Sequence, residues 1–202
     1  GNWPGVTLER KSGIVKGTRH ELFDLPGIYS LNPYTLEENI SRDFLLNSKP
    51  DLIINVVDAV SIERGLYLTT ELLDLNIKMI LVLNMADRLY KKGIRINKEK
   101  LEKKLGVDVC MISAIKNTGI NELIELIKNK KEFFGTQKIF PRDVEEIVSN
   151  LENRIEDTKN KRFKAIEMLE TSNNTSVSLM RKRIENKYKM DITECLITLR
   201  YD

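Results

Sequence analysis

The amino-acid sequence predicts a doubly wound α/β domain with a mostly parallel sheet, followed by a small all-α domain. Three near-continuous apolar segments, rich in Ile and Val, alternate with segments whose apolar residues recur at helical spacing. This alternation is typical of a parallel sheet that helices cover on both faces. Over residues 141–201 the pattern is helical throughout. We therefore expect an α/β domain over residues 1–134 and a helical domain over residues 135–202.

The composition excludes several classes of protein. The chain has 202 residues, of which 41% are hydrophobic and 31% charged, as in globular rather than disordered proteins. It contains no run of 18 uncharged apolar residues that would span a membrane. Its net charge of +3 is too small for a nucleic-acid footprint, so we expect no nucleic-acid partner. Two cysteines and one histidine match no zinc-site spacing.

The periodicities place the individual elements. Strands are predicted at residues 20–24, 51–58, 78–84 and 107–113. Helices are predicted at residues 36–47, 62–75, 97–105 and 121–131. In the helical domain, breaks near residues 158, 171–175 and 189–190 indicate three or four short helices.

Polar residues follow three of the predicted strands. Asp24-Leu25-Pro26-Gly27 follows the first strand, Asn84-Met85-Ala86-Asp87 the third, and Ser113-Ala114 the fourth. Ligands of open parallel sheets bind at the carboxyl ends of the strands. A carboxylate there, such as Asp24, can hold Mg²⁺ through water, and Gly27 lets a backbone N–H approach a phosphate oxygen.

The other two clusters suit a guanine base. Asp87 can accept two hydrogen bonds from the N1–H and amino groups of guanine, a donor pair that adenine lacks. Asn84 can engage N7 and brace the neighbouring loop, and the backbone N–H of Ala114 can meet O6. Each short motif alone occurs by chance in roughly half of sequences of this length. Their order, each directly after a strand, is what predicts a guanine nucleotide site.

The same residues carry a resemblance to a known family. The segments that carry it are GNWPGVTLER at residues 1–10, DLPGIYSL at 24–31, RDFLLNSKPDLIINVVDA at 42–59 and LNMAD at 83–87. They resemble the cytosolic G domain of the prokaryotic ferrous iron transport protein B (FeoB), a Ras-like GTPase module that precedes a membrane permease. The resemblance covers residues 1–134, and residues 135–202 are similar to the family's helical domain in their position and their helical periodicity.

The resemblance implies roles for individual residues. Thr7 matches the switch I threonine that reaches Mg²⁺ and the γ-phosphate of GTP, and Asp24 and Gly27 match the switch II aspartate and glycine. These three are the expected catalytic residues, with Thr7 and Asp24 as Mg²⁺ ligands. The backbone carbonyls of Gly1 and Trp3 are the expected K⁺ ligands.

It also implies the nucleotide-binding set and the cofactors. Asn84, Met85 and Asp87 match the guanine-reading motif, and Ser113 and Ala114 match the final base-contacting loop. The expected cofactors are GTP or GDP, Mg²⁺ and K⁺.

Departures from the pattern affect the expected rate. Ile28 stands where Ras-like GTPases place the glutamine that orients the attacking water, so hydrolysis is expected to be slow. Met85 replaces the lysine common in N-K-x-D, and Ile115 stands where a lysine is also common. No G-x-x-x-x-G-K-[ST] occurs in the sequence. We expect the first strand and the P-loop to be missing in front of Gly1, and the chain alone to be inactive.

The resemblance implies a slow GTPase at the cytoplasmic face of the prokaryotic membrane, as part of an integral membrane protein. Its switch segments, residues 1–7 and 24–31, would couple nucleotide state to Fe²⁺ uptake. The expected partners are guanine nucleotide, the protein's own permease domain, a second copy of itself and small accessory proteins of iron uptake. Two alternatives stay open: a catalytically incompetent fragment that acts as an interaction module, and a soluble ribosome- or RNA-associated GTPase.

Overall fold

The computed structural model describes residues 11–32, 35–48, 50–129, 140–156 and 160–201. The described residues fall into two compact units. Those within Gly1–Thr69 and Ile77–Gly135 form the first unit, and those within Thr70–Asn76 and Thr136–Asp202 form the second. No helix among these residues is long and apolar enough to cross a membrane.

The strands of the first unit form a hairpin and a parallel sheet. The hairpin pairs β1 (Lys11–Ile14) with β2 (Glu21–Asp24) in antiparallel register. The parallel sheet has the order β3-β4-β5, with β3 at Ile53–Asp58, β4 at Met79–Asn84 and β5 at Asp108–Met111. The predicted parallel α/β arrangement is therefore confirmed for these three strands, and β1 is an addition to the predicted set.

Among the described residues up to 129, five helices and a 3₁₀ turn accompany these strands. The helices are α1 (Leu36–Asn47), α2 (Ile62–Leu73), α3 (Ala86–Lys91), α4 (Lys98–Leu105) and α5 (Ile120–Lys128). The 3₁₀ turn at Ala59–Ser61 begins at Asp58, whose carboxylate accepts from the backbone N–H of Val60 at 2.8 Å. Asp58 thus has the capping role expected of a residue at a strand end.

The core of the first unit is built around β4. The side chains of Ile80, Leu81, Val82 and Leu83 have no exposed surface, because the strand has a neighbour on each edge and is covered on both faces. Ile80 and Val82 pack with Cys110, and Leu123, Leu126 and Ile127 of α5 pack against this cluster. The carboxyl ends of β3, β4 and β5 are held in register by this core, and the polar residues that follow them lie along one edge.

The described residues of the second unit after Phe140 form four helices: α6 (Arg142–Glu152), α7 (Lys161–Thr171), α8 (Thr175–Tyr188) and α9 (Ile192–Tyr201). Their buried side chains form one apolar cluster that includes Val144, Leu151, Leu169 and Leu196. Asn174 caps α8 by accepting from the N–H of Ser176 at 2.9 Å, which explains why the polar segment there ends one helix and begins the next.

A buried ionic cluster joins three elements within the second unit. The guanidinium of Arg162 on α7 donates from Nη1 and Nη2 to the two carboxylate oxygens of Glu145 on α6, at 2.9 and 2.8 Å. Its Nε donates to Oδ1 of Asp74 at 2.8 Å. Glu145 also accepts from the backbone N–H of Phe140 at 3.0 Å. The second unit therefore takes in Thr70–Asn76 as well as the helical tail.

Candidate nucleotide-binding site

Asn84 organises the loop after β4. Its side-chain oxygen accepts from the backbone N–H of Met85 at 2.8 Å and from that of Ala114 at 3.1 Å. Met85 has a φ of 61°, a left-handed conformation that a non-glycine residue rarely adopts. The Asn84 side chain supports this turn, and α3 begins at the next residue, Ala86.

Backbone hydrogen bonds fix the two base-site loops to each other. The N–H of Ile112 donates to the carbonyl of Leu83 at 2.9 Å, and the N–H of Ala86 donates to the carbonyl of Ile112 at 3.0 Å. The loop after β5 closes on itself through paired bonds between Ser113 and Thr118, both 3.1 Å. The residues predicted to read guanine are thus held at one place by main-chain contacts.

Asp87, in the first turn of α3, is the charged centre of this cluster. The hydroxyl of Ser113 donates to its Oδ1 at 2.7 Å, and the ammonium of Lys116 lies 4.0 Å from its Oδ2. The hydrogen bond from Ser113 and the nearby charge of Lys116 hold the pKa of Asp87 below its usual value. The side chain is 21% exposed, so an ionised carboxylate oriented by Ser113 remains accessible to a ligand.

Two features of the base site were not expected from the sequence. The brace from Asn84 to the neighbouring loop was expected, but it uses the backbone N–H of Ala114, the group that was expected to meet a guanine O6. Lys116 contributes the positive charge beside Asp87, whereas the neighbouring Ile115 is 90% exposed. The spacing of Lys116 after Ser113 carries no recognisable signal, because its position depends on the turn that the loop makes.

Asp24 and Gly27 lie at the end of β2 and in the loop that follows it. Ser41 of α1, 1% exposed, donates its hydroxyl to the carbonyl of Pro26 at 2.6 Å. The rings of Phe23 and Phe44 pack in a tilted arrangement, with 5.3 Å between centroids and 45° between planes. These contacts hold the hairpin and the start of the loop against α1, and they come from residues far apart in sequence.

The loop is also held at its far side. The guanidinium of Arg64, in the first turn of α2, lies 4.1 Å from the centre of the Tyr29 ring. Leu31 has no exposed surface. The segment between Asp24 and Leu31 is therefore anchored at both ends, with Asp24 and Gly27 at its beginning.

Neither the backbone nor the packing of the protein requires glycine at position 27. A Cβ added at Gly27 would meet no atom within 4 Å, and its backbone is not in the left-handed region. Asp24 is an exposed carboxylate. A single exposed carboxylate suits Mg²⁺, which takes few protein ligands and keeps several waters.

Three predicted residues cannot be placed. Thr7, Gly1 and Trp3 lie outside the described residues. In the part of the chain that the structure describes, no three acidic, cysteine or histidine side chains converge on one point, and the single carboxylate of Asp24 is the proposed Mg²⁺ ligand there. The structure brings together Asn84, Met85, Asp87, Ser113 and Ala114, and it places Asp24 and Gly27 in the separate loop after β2.

The parallel sheet, with Asn84-Met85-Ala86-Asp87 after β4 and Ser113-Ala114 after β5, defines a Ras-like G domain. Solved structures of the same architecture support this class. A variant of NFeoB from S. thermophilus bound to GMPPNP has a TM-score of 0.85 at 35% identity, covering 100% of this chain and 86% of that one. NFeoB from S. thermophilus bound to GDP·AlF₄⁻ and K⁺ has a TM-score of 0.81 at 37% identity, with the same coverage.

The chain belongs to the ferrous iron transport protein B family, whose model, FeoB_N, matches residues 1–127. The Fe(2+) transporter FeoB of Helicobacter pylori is 49% identical to it over 113 residues, which are 55% of this chain. The matched part is 17% of that transporter. The chain therefore corresponds to a small part of the length of its curated relatives.

Proposed function

We propose that this chain is the GTP-binding, slowly GTP-hydrolysing regulatory region of a ferrous iron transporter. The observation that carries the proposal is the carboxylate of Asp87, oriented by Ser113 at 2.7 Å and set beside the Asn84–Ala114 pair. Beside the Ser113 bond, Oδ2 and the second lone pair of Oδ1 can still accept, which matches a base with two adjacent donors, as guanine has. Asn84, Met85, Asp87, Ser113 and Ala114 are the proposed nucleotide-binding residues.

We assign the phosphate side of the site to Thr7, Asp24 and Gly27. Asp24 and Thr7 would hold a hydrated Mg²⁺, which neutralises phosphate charge when bound. Gly27 would donate its backbone N–H to the terminal phosphate, and the open space around its Cα supports this role. The carbonyls of Gly1 and Trp3 would bind K⁺, a proposal supported by the K⁺ in the related S. thermophilus structure.

The phosphate cradle itself is proposed to come from a P-loop segment in front of Gly1. The sequence has no G-x-x-x-x-G-K-[ST]. Among the described residues β3 pairs with β4 alone, and Val56 on β3 is 58% exposed although it is apolar. A further strand and helix against β3 would cover this residue. Without that segment we expect the chain to be inactive.

The regulatory part of the proposal concerns the switch segments. The γ-phosphate would hold residues 1–7 and 24–31, and its loss would release them. We propose that the state of these segments reaches the permease domain of the parent protein at the cytoplasmic face of the membrane. A second copy and small accessory proteins are further proposed partners. We place the boundary between G domain and helical domain near residue 135, with residues 70–76 packed in the helical unit.

Calorimetry on an extended chain tests the nucleotide assignment. The extended chain is this protein preceded by the segment encoded upstream of Gly1 in the same reading frame. It should bind GDP with Mg²⁺ at least about 100-fold more tightly than ADP, because adenine leaves the Asp87 carboxylate without its two donors. Asp87→Ala should abolish this preference, and Asp51→Ala, which removes an exposed carboxylate elsewhere, should keep it. Equal affinity for GDP and ADP would refute the assignment.

The transport assignment has a separate test. Iron uptake by cells that carry the full parent gene should fall when Asp87→Ala is introduced and stay at the wild-type level with Asp51→Ala. If uptake is unchanged by Asp87→Ala while GDP binding is lost, nucleotide binding does not regulate transport.

A further inference from the structure

The positive charge of the chain is concentrated in one segment. Residues 88–104 contain eight basic and two acidic residues, a net charge of +6, although the whole chain carries +3. The segment comprises the end of α3, a short turn and most of α4. The guanine assignment uses none of these residues. We call residues 88–104 the basic segment.

The two acidic residues of the basic segment do not neutralise its exposed face. Glu102 lies 3.9 Å from Lys98 and accepts from the backbone N–H of Val109 at 3.0 Å, so it is engaged on the inner side of α4. Lys98 is paired in turn with Glu122 of α5 at 2.6 Å. On the solvent side only Glu99 is acidic.

Four of the seven other basic side chains of the segment are exposed and unpaired among the described residues. Lys92, Arg95, Lys100 and Lys103 are exposed and form no ion pair with the residues that the structure describes. A turn at Gly93, with a φ of 66°, follows α3, and Lys92 and Arg95 lie on either side of it in the chain. Ile94, 43% exposed, lies between Lys92 and Arg95, so the basic surface also offers an apolar side chain.

We infer that the basic segment docks on an anionic lipid bilayer surface. Each lysine or arginine near such a surface contributes about 1 kcal/mol, which is about fivefold in partitioning, and the sum is lost at high salt. The chain belongs to a family named for iron transport, and its curated relatives are Fe(2+) transporters. The docking rests on the charge of the segment and not on nucleotide binding, so it holds whether or not the proposed GTPase function is correct.

The chemistry of the segment favours lipid headgroups over nucleic acid. Six of its eight basic residues are lysines, which act as mobile, strongly hydrated point charges, whereas nucleic-acid sites favour the planar fork of arginine. Single-stranded nucleic acid is also bound by stacking on several aromatic side chains, and the segment contains a single aromatic residue, Tyr90. A diffuse lysine-rich face with one exposed aliphatic residue suits a fluid anionic surface.

Vesicle co-sedimentation tests the inference on the chain itself. At about 0.05 M salt the wild type should bind vesicles of phosphatidylcholine with about one-third phosphatidylglycerol and should not bind pure phosphatidylcholine. At about 0.5 M salt binding should be lost. Neutralising the exposed face with Lys92→Gln, Arg95→Gln, Lys100→Gln and Lys103→Gln should weaken binding at least about tenfold.

The control variant carries the same change in net charge at other exposed sites. It combines Lys16→Gln, Arg19→Gln, Lys182→Gln and Arg183→Gln, and circular dichroism checks that both variants are folded. The control should bind within about threefold of the wild type. Equal loss in both variants, or no binding of the wild type to anionic vesicles, overturns the inference. So does binding to an RNA duplex at the same salt without binding to vesicles, which would make the segment a nucleic-acid surface.

Discussion

At the scale of single residues, the proposed recognition of guanine depends on how Asp87 is held. Its Oδ1 already accepts from Ser113, so the hydroxyl fixes the plane of the carboxylate before any base arrives. The same bond lowers the pKa of Asp87, and the carboxylate is therefore ionised at every pH above its ordinary range. The stabilisation that this brings is complete above the unfolded pKa and is lost as the pH falls through the lower folded value.

Removing the Ser113 hydroxyl should show how strongly the pKa of Asp87 depends on that hydrogen bond. In Ser113→Ala the pKa of Asp87, measured by carbon-detected NMR titration on the chain itself, should rise because its largest lowering influence is gone. GDP affinity of the extended chain should fall about tenfold, because a hydrogen bond to a charged group is lost. Ser61→Ala, at an exposed position in the 3₁₀ turn, should change neither quantity. An unchanged pKa in Ser113→Ala would contradict the proposed role.

A side chain at position 27 should affect GTP hydrolysis and folding stability differently. Because a Cβ there meets nothing within 4 Å, Gly27→Ala should leave the urea midpoint unchanged or raise it, through an unfolded-state effect of about 0.4–1 kcal/mol. GTP hydrolysis by the extended chain should nevertheless fall at least about tenfold, because the methyl group would stand where the phosphate approaches. If Gly27→Ala hydrolyses GTP at the wild-type rate, the terminal phosphate does not approach the backbone at Gly27 as closely as proposed.

At the scale of elements, α2 packs unusually closely on β3. A Cβ added at Gly65 of α2 would overlap both methyl groups of Val57 on β3, so the helix lies against the strand only because residue 65 has no side chain. The neighbouring contact is polar: the buried side-chain amide of Asn55 donates to the hydroxyl of Thr69 at 2.8 Å. The spacing between α2 and β3 is thereby fixed at two points.

Gly65→Ala should destabilise the chain by about 1–3 kcal/mol in urea unfolding, because overpacking outweighs the gain in helix propensity of about 1 kcal/mol. Adding Val57→Ala to Gly65→Ala should recover part of the loss, since it removes the overlapping methyl groups. Gly13→Ala, where an added Cβ meets no atom within 4 Å, is the matched control and should cost less than Gly65→Ala. A Gly65→Ala variant as stable as the wild type would show that α2 can shift freely on β3.

The Arg162 cluster joins α6, α7 and the chain around Asp74 in the second unit. Burial opposes the charge of Arg162, but hydrogen bonds and ion pairs with Glu145 and Asp74 raise the pKa of the guanidinium further above its usual value. Arg162→Met should lower stability by about 3–5 kcal/mol in urea unfolding, because two buried carboxylates lose their cation. Lys182→Met, at an exposed site of α8, should stay within about 0.5 kcal/mol of the wild type. A loss in Arg162→Met no larger than that would show that the buried carboxylates do not depend on Arg162.

The elements differ in how far the sequence predicts them. β3, β4 and β5 are continuous apolar runs whose burial depends on their own residues, so pattern alone finds them. β1 has the sequence KSGI and is exposed along its length, so its strand structure comes from pairing with β2. The six residues of α3 are too few for a helical period to stand out. The assignment of Thr70–Asn76 to the second unit follows from contacts such as Asp74 to Arg162, 88 residues apart.

At the scale of the whole molecule, the candidate site is predictable in kind and less so in detail. The proposed base-reading residues follow strands that the sequence predicts, so their convergence follows from sheet topology. The contacts that these residues make with one another are not predictable in this way. The bond of Asn84 to the N–H of Ala114 and the position of Lys116 beside Asp87 depend on the closed turn between Ser113 and Thr118. The anchoring of the switch loop by Ser41 and Arg64 is likewise a result of tertiary packing.

The central claim is that Asp87 reads the two donors of guanine, and exchanging the donor pattern tests it most directly. Xanthine carries a carbonyl at C2 in place of the amino group, so the side-chain amide of Asp87→Asn can donate to it while its oxygen accepts from N1–H. In the extended chain, wild type should prefer GDP to xanthosine diphosphate at least about 100-fold, and Asp87→Asn should reverse that order in calorimetry. An Asp87→Asn variant that keeps the wild-type order of affinities would contradict the assignment of this loop as the guanine site.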